Sequence, residues 1–376
     1  MQIIHIVLGK ARIDRMNGIN KVAHNLALHQ ADLGHEVSIW GITPTPEAPT
    51  DLRPYHLRLF RASTNKFRLD KELATALTQL NSEVAKVHLH GSYISEFFHI
   101  ARLLQKKRIP YVYCPHGGLS PGAFRKGGWR KRIYIHLIER HILKHAQAIQ
   151  FLGQTQYDNV DQLLAGIRKQ LIPNGQNIEE LTHSPQKIQR PSSIVFSYCG
   201  RLIIGHKALD LLLEGFAQYQ QQGGQGHLWL IGDGPDRREL EDQKKALGLE
   251  EQVVFWGAKY GEEKLNLLSH SDAFVHPSRS EGLPTGVLEA AGLGLPCLLT
   301  KRTNLGVPFK DYGAGILIDP NTAEQIAIAL WDADHQKACD QLPEMGEKAR
   351  ELIQLEYNWS RIAQRTVEMY TGVSER

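Results

Sequence analysis

The sequence predicts an α/β protein made of two doubly wound, Rossmann-like domains. A strand–loop–helix–strand unit opens the chain, and the same alternation restarts after residue 191. The 376 residues, 42% of them hydrophobic, are enough for two cores at the usual ~150–200 residues per domain.

In the first half, Ile3 to Leu8 reads as a buried strand, followed by a loop ending at Asn17-Gly18-Ile19-Asn20. A helix is expected near 21–33, with Val22, Leu26 and Leu33 on one side, and Gly34 stops it before a strand at 36–40. Further strands are expected at 86–90, 111–114 and 148–152, with a helical pattern between neighbours. Residues 181–191 show little periodicity and read as the linker. Strands then fall at 194–199, 228–231, 253–256, 273–276 and 297–300, with a last short one near 315–318. Helices alternate with them, as in a second doubly wound domain. Open α/β sheets bind ligands beyond the carboxyl ends of their strands, and two such sheets facing each other make a cleft. Chemistry is therefore expected in the loops after strands.

The formal charge of +4 is unevenly placed. Residues 1–180 hold 24 Lys+Arg and 14 Asp+Glu, and the remainder 20 and 26, so the halves carry +10 and −6. A basic half suits an anionic partner such as phosphate or a membrane surface, or is simply solvated. The four cysteines form no C-x-x-C pair, and Cys114, Cys199 and Cys297 sit in apolar runs. Reduced, buried thiols in a cytoplasmic setting are the simplest expectation. The opening residues lack the features of a secretory leader, and no apolar run reaches the ~20 residues of a membrane span. A peripheral contact at the inner membrane face stays compatible. Nucleic-acid binding is disfavoured, because the basic half lacks interleaved aromatics or a recognised module.

The strongest motif is Ser280-Glu281-Gly282-Leu283-Pro284-Thr285-Gly286-Val287-Leu288-Glu289, which crosses a strand-to-helix turn. Pro284 suits a first helical position, Gly282 allows close backbone approach, and the amides of Gly282 and Leu283 would face an oxygen-rich ligand. Glu289, about one turn into the helix, could accept two hydrogen bonds from a ribose diol, or simply favour the helix dipole. Arg201 ends one strand and Lys207 is expected to open the next helix. Two cations beside a helix start suit a diphosphate, the alternative being two solvated charges. Gly18 could present amides to a phosphate, a weak signal alone, and Gly232-Asp233-Gly234 lacks the full dinucleotide fingerprint. His90 and His116 each follow a predicted strand beside glycine. Either could bond a ligand, although a structural histidine is the usual reading of each alone. No metal site is expected, since no converging ligand set stands out.

Glu281 to Glu289, Gly200-Arg201-Leu202 with Lys207, and Gly232-Asp233-Gly234-Pro235 occur in the order seen in a large family of retaining glycosyltransferases with the GT-B fold. That family includes sucrose, sucrose-phosphate and phosphatidylinositol mannosyl transferases. His88-Leu89-His90-Gly91, Pro115-His116-Gly117-Gly118-Leu119-Ser120-Pro121 and Ile172-Pro173-Asn174-Gly175 resemble first-domain motifs of its polysaccharide-assembly members. The resemblance spans essentially the whole chain. It implies two Rossmann-like domains facing across a cleft: residues 1–183 with 359–376, the last helix returning to the first domain, and residues 184–358. It also implies roles. Arg201 and Lys207 would hold the donor diphosphate, and Glu289 the ribose. Glu281 with the amides of Gly282 and Leu283 would hold the transferred sugar, next to Pro284. His116 would contact that sugar, and Gly18 would let the first domain approach the diphosphate. Ala208 replaces a glycine usual after the lysine, which is expected to be harmless. Thr155-Gln156 replaces a usual Ser-Glu.

The implied reaction moves a hexose-type sugar from a nucleotide sugar, a UDP- or GDP-sugar, to a hydroxyl of a glycan or lipid-linked acceptor. It proceeds with retention and needs no metal or other cofactor. A nucleoside diphosphate already leaves well, so charge stabilisation and positioning suffice. A nucleotide-sugar epimerase or hydrolase of the same fold, or a catalytically silent binding subunit, are the alternatives. His90 and the basic run with Arg130, Lys131 and Arg132 are the acceptor-side candidates. The run holds five cations and Trp129 within eight residues, 125–132. It suits a lipid–water interface, or is a solvated helix face.

Overall fold

A computed structural model describes residues 1–11, 18–47, 52–65, 68–116, 118, 134–154, 157–158, 168–178, 181 and 186–372. The chain divides into two compact units, Met1–Gly175 with Trp359–Arg376, and Gln176–Asn358.

The first unit holds a parallel sheet of seven strands: β1 (Gln2–Leu8), β2 (Glu36–Thr43), β3 (His56–Arg61), β4 (Ala85–His90), β5 (Tyr111–Cys114), β6 (Ala148–Phe151) and β7 (Lys169–Leu171). Their order is β3-β2-β1-β4-β5-β6-β7. The second unit holds six parallel strands: β8 (Val195–Cys199), β9 (His227–Ile231), β10 (Val253–Gly257), β11 (Ala273–His276), β12 (Cys297–Thr300) and β13 (Gly315–Ile318). Their order, β10-β9-β8-β11-β12-β13, repeats the same winding. Both units are Rossmann-like, and in both the winding reverses beside the first strand, between β1 and β4 and between β8 and β11.

Strands buried on both faces need apolar side chains on both, and β1 and β8 show this. Along β1, Ile4 and Ile6 join a core formed with Phe97, Ile100 and Leu104 of the helix Ser95–Lys106. Ile3 and Val7 point the other way, to Val22 and Leu26 of the helix Gly18–Asp32 and to Ile362 and Met369 of the last helix, Trp359–Thr371. The second sheet is likewise covered on both faces, one core holding Phe196, Leu212 and Phe216 and the other Val195, Leu288 and Ala291.

Two strands escaped the sequence pattern. β3 alternates exposed His56, Arg58 and Arg61 with half-buried Leu57 and Leu59 and a single buried Phe60, as an edge strand does, and β7 is only three residues long. Leu33, expected on the buried side of the first helix, lies beyond its end and is 46% exposed. Lys207 closes a one-turn helix, Ile204–Lys207, instead of opening the next, which starts at Leu209. Between them Ala208 is left-handed, φ 56° and ψ 37°. Glycine takes that conformation freely, so alanine there is not neutral for the backbone. All four cysteines are free thiols, with Cys114 and Cys297 buried.

Gly286 accounts for the close approach of the helix Thr285–Gly292 to the end of β8. A Cβ at that position would stand 2.7 Å from the carbonyl oxygen of Cys199. Gly286→Ala must therefore push the helix start off the strand end. It is expected to lower stability by about 1–3 kcal/mol, read as a lower urea midpoint. An unchanged midpoint would show that the helix start shifts freely.

Candidate functional site

In the second unit the candidate residues gather where the winding reverses. Strand β8 feeds the loop from Gly200 to Ala208, and β11 feeds the loop from Pro277 to Pro284. Glu281 Oε1 pairs with Lys207 Nζ, both side chains only 13–14% exposed. The same oxygen lies 3.1 Å from the donating Ser278 hydroxyl and 3.3 Å from His276 Nε2. Burial pushes the Glu281 carboxyl up, but the His276 hydrogen bond and the Lys207 charge outweigh it and leave the pKa at about 2. His276 is buried in strand β11, stacked against Tyr198 and Phe274. Burial lowers its own pKa, so a neutral ring donates to Glu281.

Backbone contacts hold these loops. Arg279 donates to both carboxylate oxygens of Asp210, at 2.9 and 2.7 Å, and to the carbonyl of Ile204 at 2.8 Å. Asn304 Nδ2 donates to the carbonyls of Glu281 and Gly282, both at 2.8 Å. Pro284, expected at the first helical position, is instead the cap of the helix Thr285–Gly292, because its ψ of 112° is extended. Glu289 lies in the second turn of that helix and pairs with Lys264 Nζ at 2.7 Å. Arg201 is exposed. Gly232-Asp233-Gly234 has a packing role: the Leu202 amide donates to the Asp233 carbonyl at 3.0 Å, and a Cβ on Gly232 or Gly234 would overlap the backbone of Gly200 or Leu202. Beyond β10, a cavity of about 510 Å³ is lined by residues including Trp256, Lys259 and Glu262. The buried Trp256 Nε1 has no hydrogen-bond partner.

In the first unit, Gly18 is the exposed first residue of its helix. His116 follows β5 with a left-handed backbone, φ 47°. His90 was expected to reach a ligand. It is 1% exposed, and both its ring nitrogens bond other histidines, His116 Nε2 at 3.0 Å and His5 Nδ1 at 2.8 Å. It is therefore a buried structural link and not an acceptor contact. One ring nitrogen from each of His5, His88 and His90 lies within 4.8 Å of the others, a convergence of three strand positions that no sequence spacing displayed. Behind the His116 loop, Tyr93 donates its hydroxyl to the Gly118 carbonyl at 2.7 Å and its amide to Glu139 at 2.6 Å. Tyr113 donates to the same buried carboxylate at 2.7 Å. Arg130, Lys131, Arg132 and the Thr155-Gln156 pair lie outside the described residues.

The sequence reading missed His276, Asn304, Arg279, Lys264 and Glu139. All but His276 act through a partner distant in sequence, and only the placement of His276 at a strand end, five residues before Glu281, offered a signal.

Two Rossmann-like units, with charged and hydrogen-bonding groups gathered past the strand ends, are the pattern of a GT-B glycosyltransferase. Residues 181–352 match the family of glycosyl transferases group 1, and residues 16–180 match glycosyltransferase family 4. The chain belongs to this family of GT-B glycosyltransferases. It is 28% identical over 263 residues to EpsF of Bacillus subtilis (strain 168), covering 66% of this chain and 65% of EpsF, just under two thirds of that relative's length. It is 24% identical over 331 residues to the mannosylfructose-phosphate synthase of Agrobacterium fabrum, covering 77% of this chain and 70% of that protein. The fold superposes on HepE of Anabaena, solved in complex with UDP, with a TM-score of 0.75 at 18% identity, covering 99% of this chain and 100% of that one. Among the described residues, no helix is long and apolar enough to cross a membrane.

Histidines held neutral by desolvation set the acid limit of the fold. Desolvation holds His5 and His116 at about 4, against an ordinary value of 6.5, and lowers His88 and His90 well below it. The unfolded chain thus binds more protons than the folded one between pH 6.5 and 4, so stability is full above 6.5 and falls as pH drops through that window. Glu281 adds its own loss only lower, as pH falls from the ordinary carboxylate range toward 2. The urea midpoint is expected to be flat from pH 6.5 to the lower edge of the ordinary thiol range, about pH 8, and to fall steadily from 6.5 to pH 4. A flat profile across that window would contradict neutral burial of the rings.

Proposed function

We propose that this glycosyltransferase is a retaining enzyme. It moves a hexose-type sugar from a UDP- or GDP-sugar to a hydroxyl of a glycan or lipid-linked acceptor, in polysaccharide or glycoconjugate assembly. The observation that carries the reading is the Lys207–Glu281 pair at the reversal of the second sheet, beside the start of the helix bearing Glu289. A cation, a helix N-terminus and two ordered carboxylates on neighbouring segments are the set a nucleoside-diphosphate sugar calls for. Structures of Anabaena HepE with UDP and with UDP-glucose support the donor class.

In this reading Arg201 and Lys207 neutralise the diphosphate as it departs, with the amides of Gly282 and Leu283 supporting the ligand. Glu289 holds the ribose, displacing Lys264. Glu281, kept ionised by His276, Ser278 and Lys207, accepts hydrogen bonds from hydroxyls of the transferred sugar. His116 contributes a neutral hydrogen-bonding group to that sugar. The departing phosphate oxygen helps deprotonate the acceptor on the same face, so no metal is needed to stabilise the charge. The unpartnered Trp256 indole and its cavity are the proposed surroundings of the base.

Labelled UDP- and GDP-sugars, incubated with and without a lipid-linked or glycan acceptor, test the reaction. Acceptor-dependent transfer with the anomeric configuration kept is expected. An altered sugar released without acceptor would make the protein an epimerase or hydrolase, and binding without turnover a silent subunit. Activity is expected to survive chelator; loss restored by Mn²⁺ or Mg²⁺ would refute the metal-free mechanism.

Two substitutions separate the carboxylates. Glu289→Ala is expected to weaken binding of the nucleoside diphosphate itself. Glu281→Ala should leave that binding largely intact and lower kcat, because its partner is the transferred sugar. Lys207→Ala should cost about 2–5 kcal/mol in kcat/KM, the usual loss when one partner of a desolvated charge pair is removed. Equal loss of nucleotide affinity in both glutamate variants would overturn the division of roles.

A further inference from the structure

Alternation along β1 and β4 puts His5, His88 and His90 on the face covered by the helices Gly18–Asp32 and Trp359–Thr371. Their neighbours on that face are Ile3, Val7 and Val112. His5 is in register with His88, and His90 with Cys114. All three histidines are 0–1% exposed. Polar rings in apolar slots need partners, and here most of the partners are other rings. His116 Nε2 lies 3.0 Å from His90 Nδ1, His90 Nε2 lies 2.8 Å from His5 Nδ1, and His5 Nε2 lies 2.7 Å from Gln30 Oε1. The ring of His88 stacks on His90 at 4.0 Å, and its Nδ1 bonds the Tyr370 hydroxyl at 2.7 Å.

A neutral imidazole has one N–H and one bare nitrogen, so each link holds a single proton and the chain has one direction throughout. Gln30 sets that direction. Its oxygen can only accept, so His5 carries its proton on Nε2. His5 Nδ1 is then bare and must accept from His90 Nε2–H. His90 Nδ1 is bare in turn and accepts from His116 Nε2–H. The inner end of the chain is closed on Gln30, which is buried. The outer end is His116, partly exposed and held at a positive φ, a strain that persists where the surroundings impose it.

We propose that Gln30, His5 and His90 are positioning residues for His116. They fix it as the Nε2–H tautomer and present its Nδ1 as a hydrogen-bond acceptor for a hydroxyl of the sugar. This rests on the reading that His116 touches the transferred sugar. Apolar residues at 5 and 90 would fill the same slots without the desolvation cost. What the two rings and Gln30 add is a defined proton position at the half-buried His116.

The test is the tautomer itself, read from long-range proton–nitrogen correlations of histidine-labelled protein, with the His116 signals assigned by their loss in His116→Gln. Wild type is expected to show neutral His116 protonated at Nε2. His90→Phe keeps a ring in the slot but removes the acceptor. It should give a mixture of tautomers and a kcat lower by about tenfold or more, as removal of an orienting partner typically does, with the donor KM little changed. His90→Asn places an acceptor oxygen where Nδ1 stood and should restore both the tautomer and most of kcat. If His90→Phe fails to fold, Gln30→Met interrupts the chain at its far end and carries the same expectations. A wild-type His116 protonated at Nδ1 would overturn the proposal. So would wild-type tautomer and kcat in the chain-breaking variant. So would a purified protein holding a stoichiometric metal ion whose removal changes these histidine signals. The tautomer measurement needs no substrate, so it stands even if wild type transfers no sugar, an outcome that would sink the transfer reading alone.

Discussion

The pairing of Lys207 with Glu281 is the contact on which the geometry of the second unit's crevice depends. A parallel sheet fixes where strands end but leaves the loops beyond them to find their own support. β8 and β11 are neighbours in the sheet, and their loops leave toward opposite faces, which opens the crevice. The ion pair brings them back together, and the Arg279 fork onto Asp210 ties the same two segments a second time. A carboxylate this buried would be costly if its only partner were one lysine. Ser278 and His276 also contact it, and the net result is a group that stays ionised far into acid. Removing Lys207 would therefore cost more than the net worth of the pair, because Glu281 would keep its charge and lose its strongest partner.

Most of the fold was legible because parallel strands buried on two faces read as short apolar runs between helices, and both central strands, β1 and β8, are of that kind. β3 was missed because an edge strand spends one side on solvent, so its Arg and His residues break the apolar run. The loops after β8 and β11 were legible as site candidates because glycine, cations and carboxylates stand at strand ends. What held them was not legible. His276 and Asn304 act on Glu281 through a strand end and a left-handed turn, and no local spacing marks such a contact. Residue type alone also did not name the partners these groups have in the protein: Lys207 and Glu281 hold each other, as do Glu289 and Lys264. A group that binds an ion must be partnered by some counter-charge, and sequence order does not say which.

His90 shows the limit from the other side. Its place beside glycine at a strand end suggested a ligand contact. The register of β4 with β1 instead turns it inward to His5. Alternation had the information, since 88 and 90 share a face with 5, but eighteen histidines in the chain made any one coincidence weak.

The two units thus handle the same problem, a polar site at the end of an apolar sheet, by different electrostatics. The second unit keeps full charges and pairs them. The first keeps its histidines neutral by burying them, and their mutual repulsion if protonated reinforces that state. An exposed imidazole with an ordinary pKa near neutrality takes up a proton in mild acid and becomes another cation. Desolvation instead lowers His116 to about 4, so its ring is a directional hydrogen-bonding group and not a charge. The direction, unlike the neutrality, is not set by burial. It needs an acceptor at the far end of the chain, and the Gln30 Oε1 on the first helix is the group there.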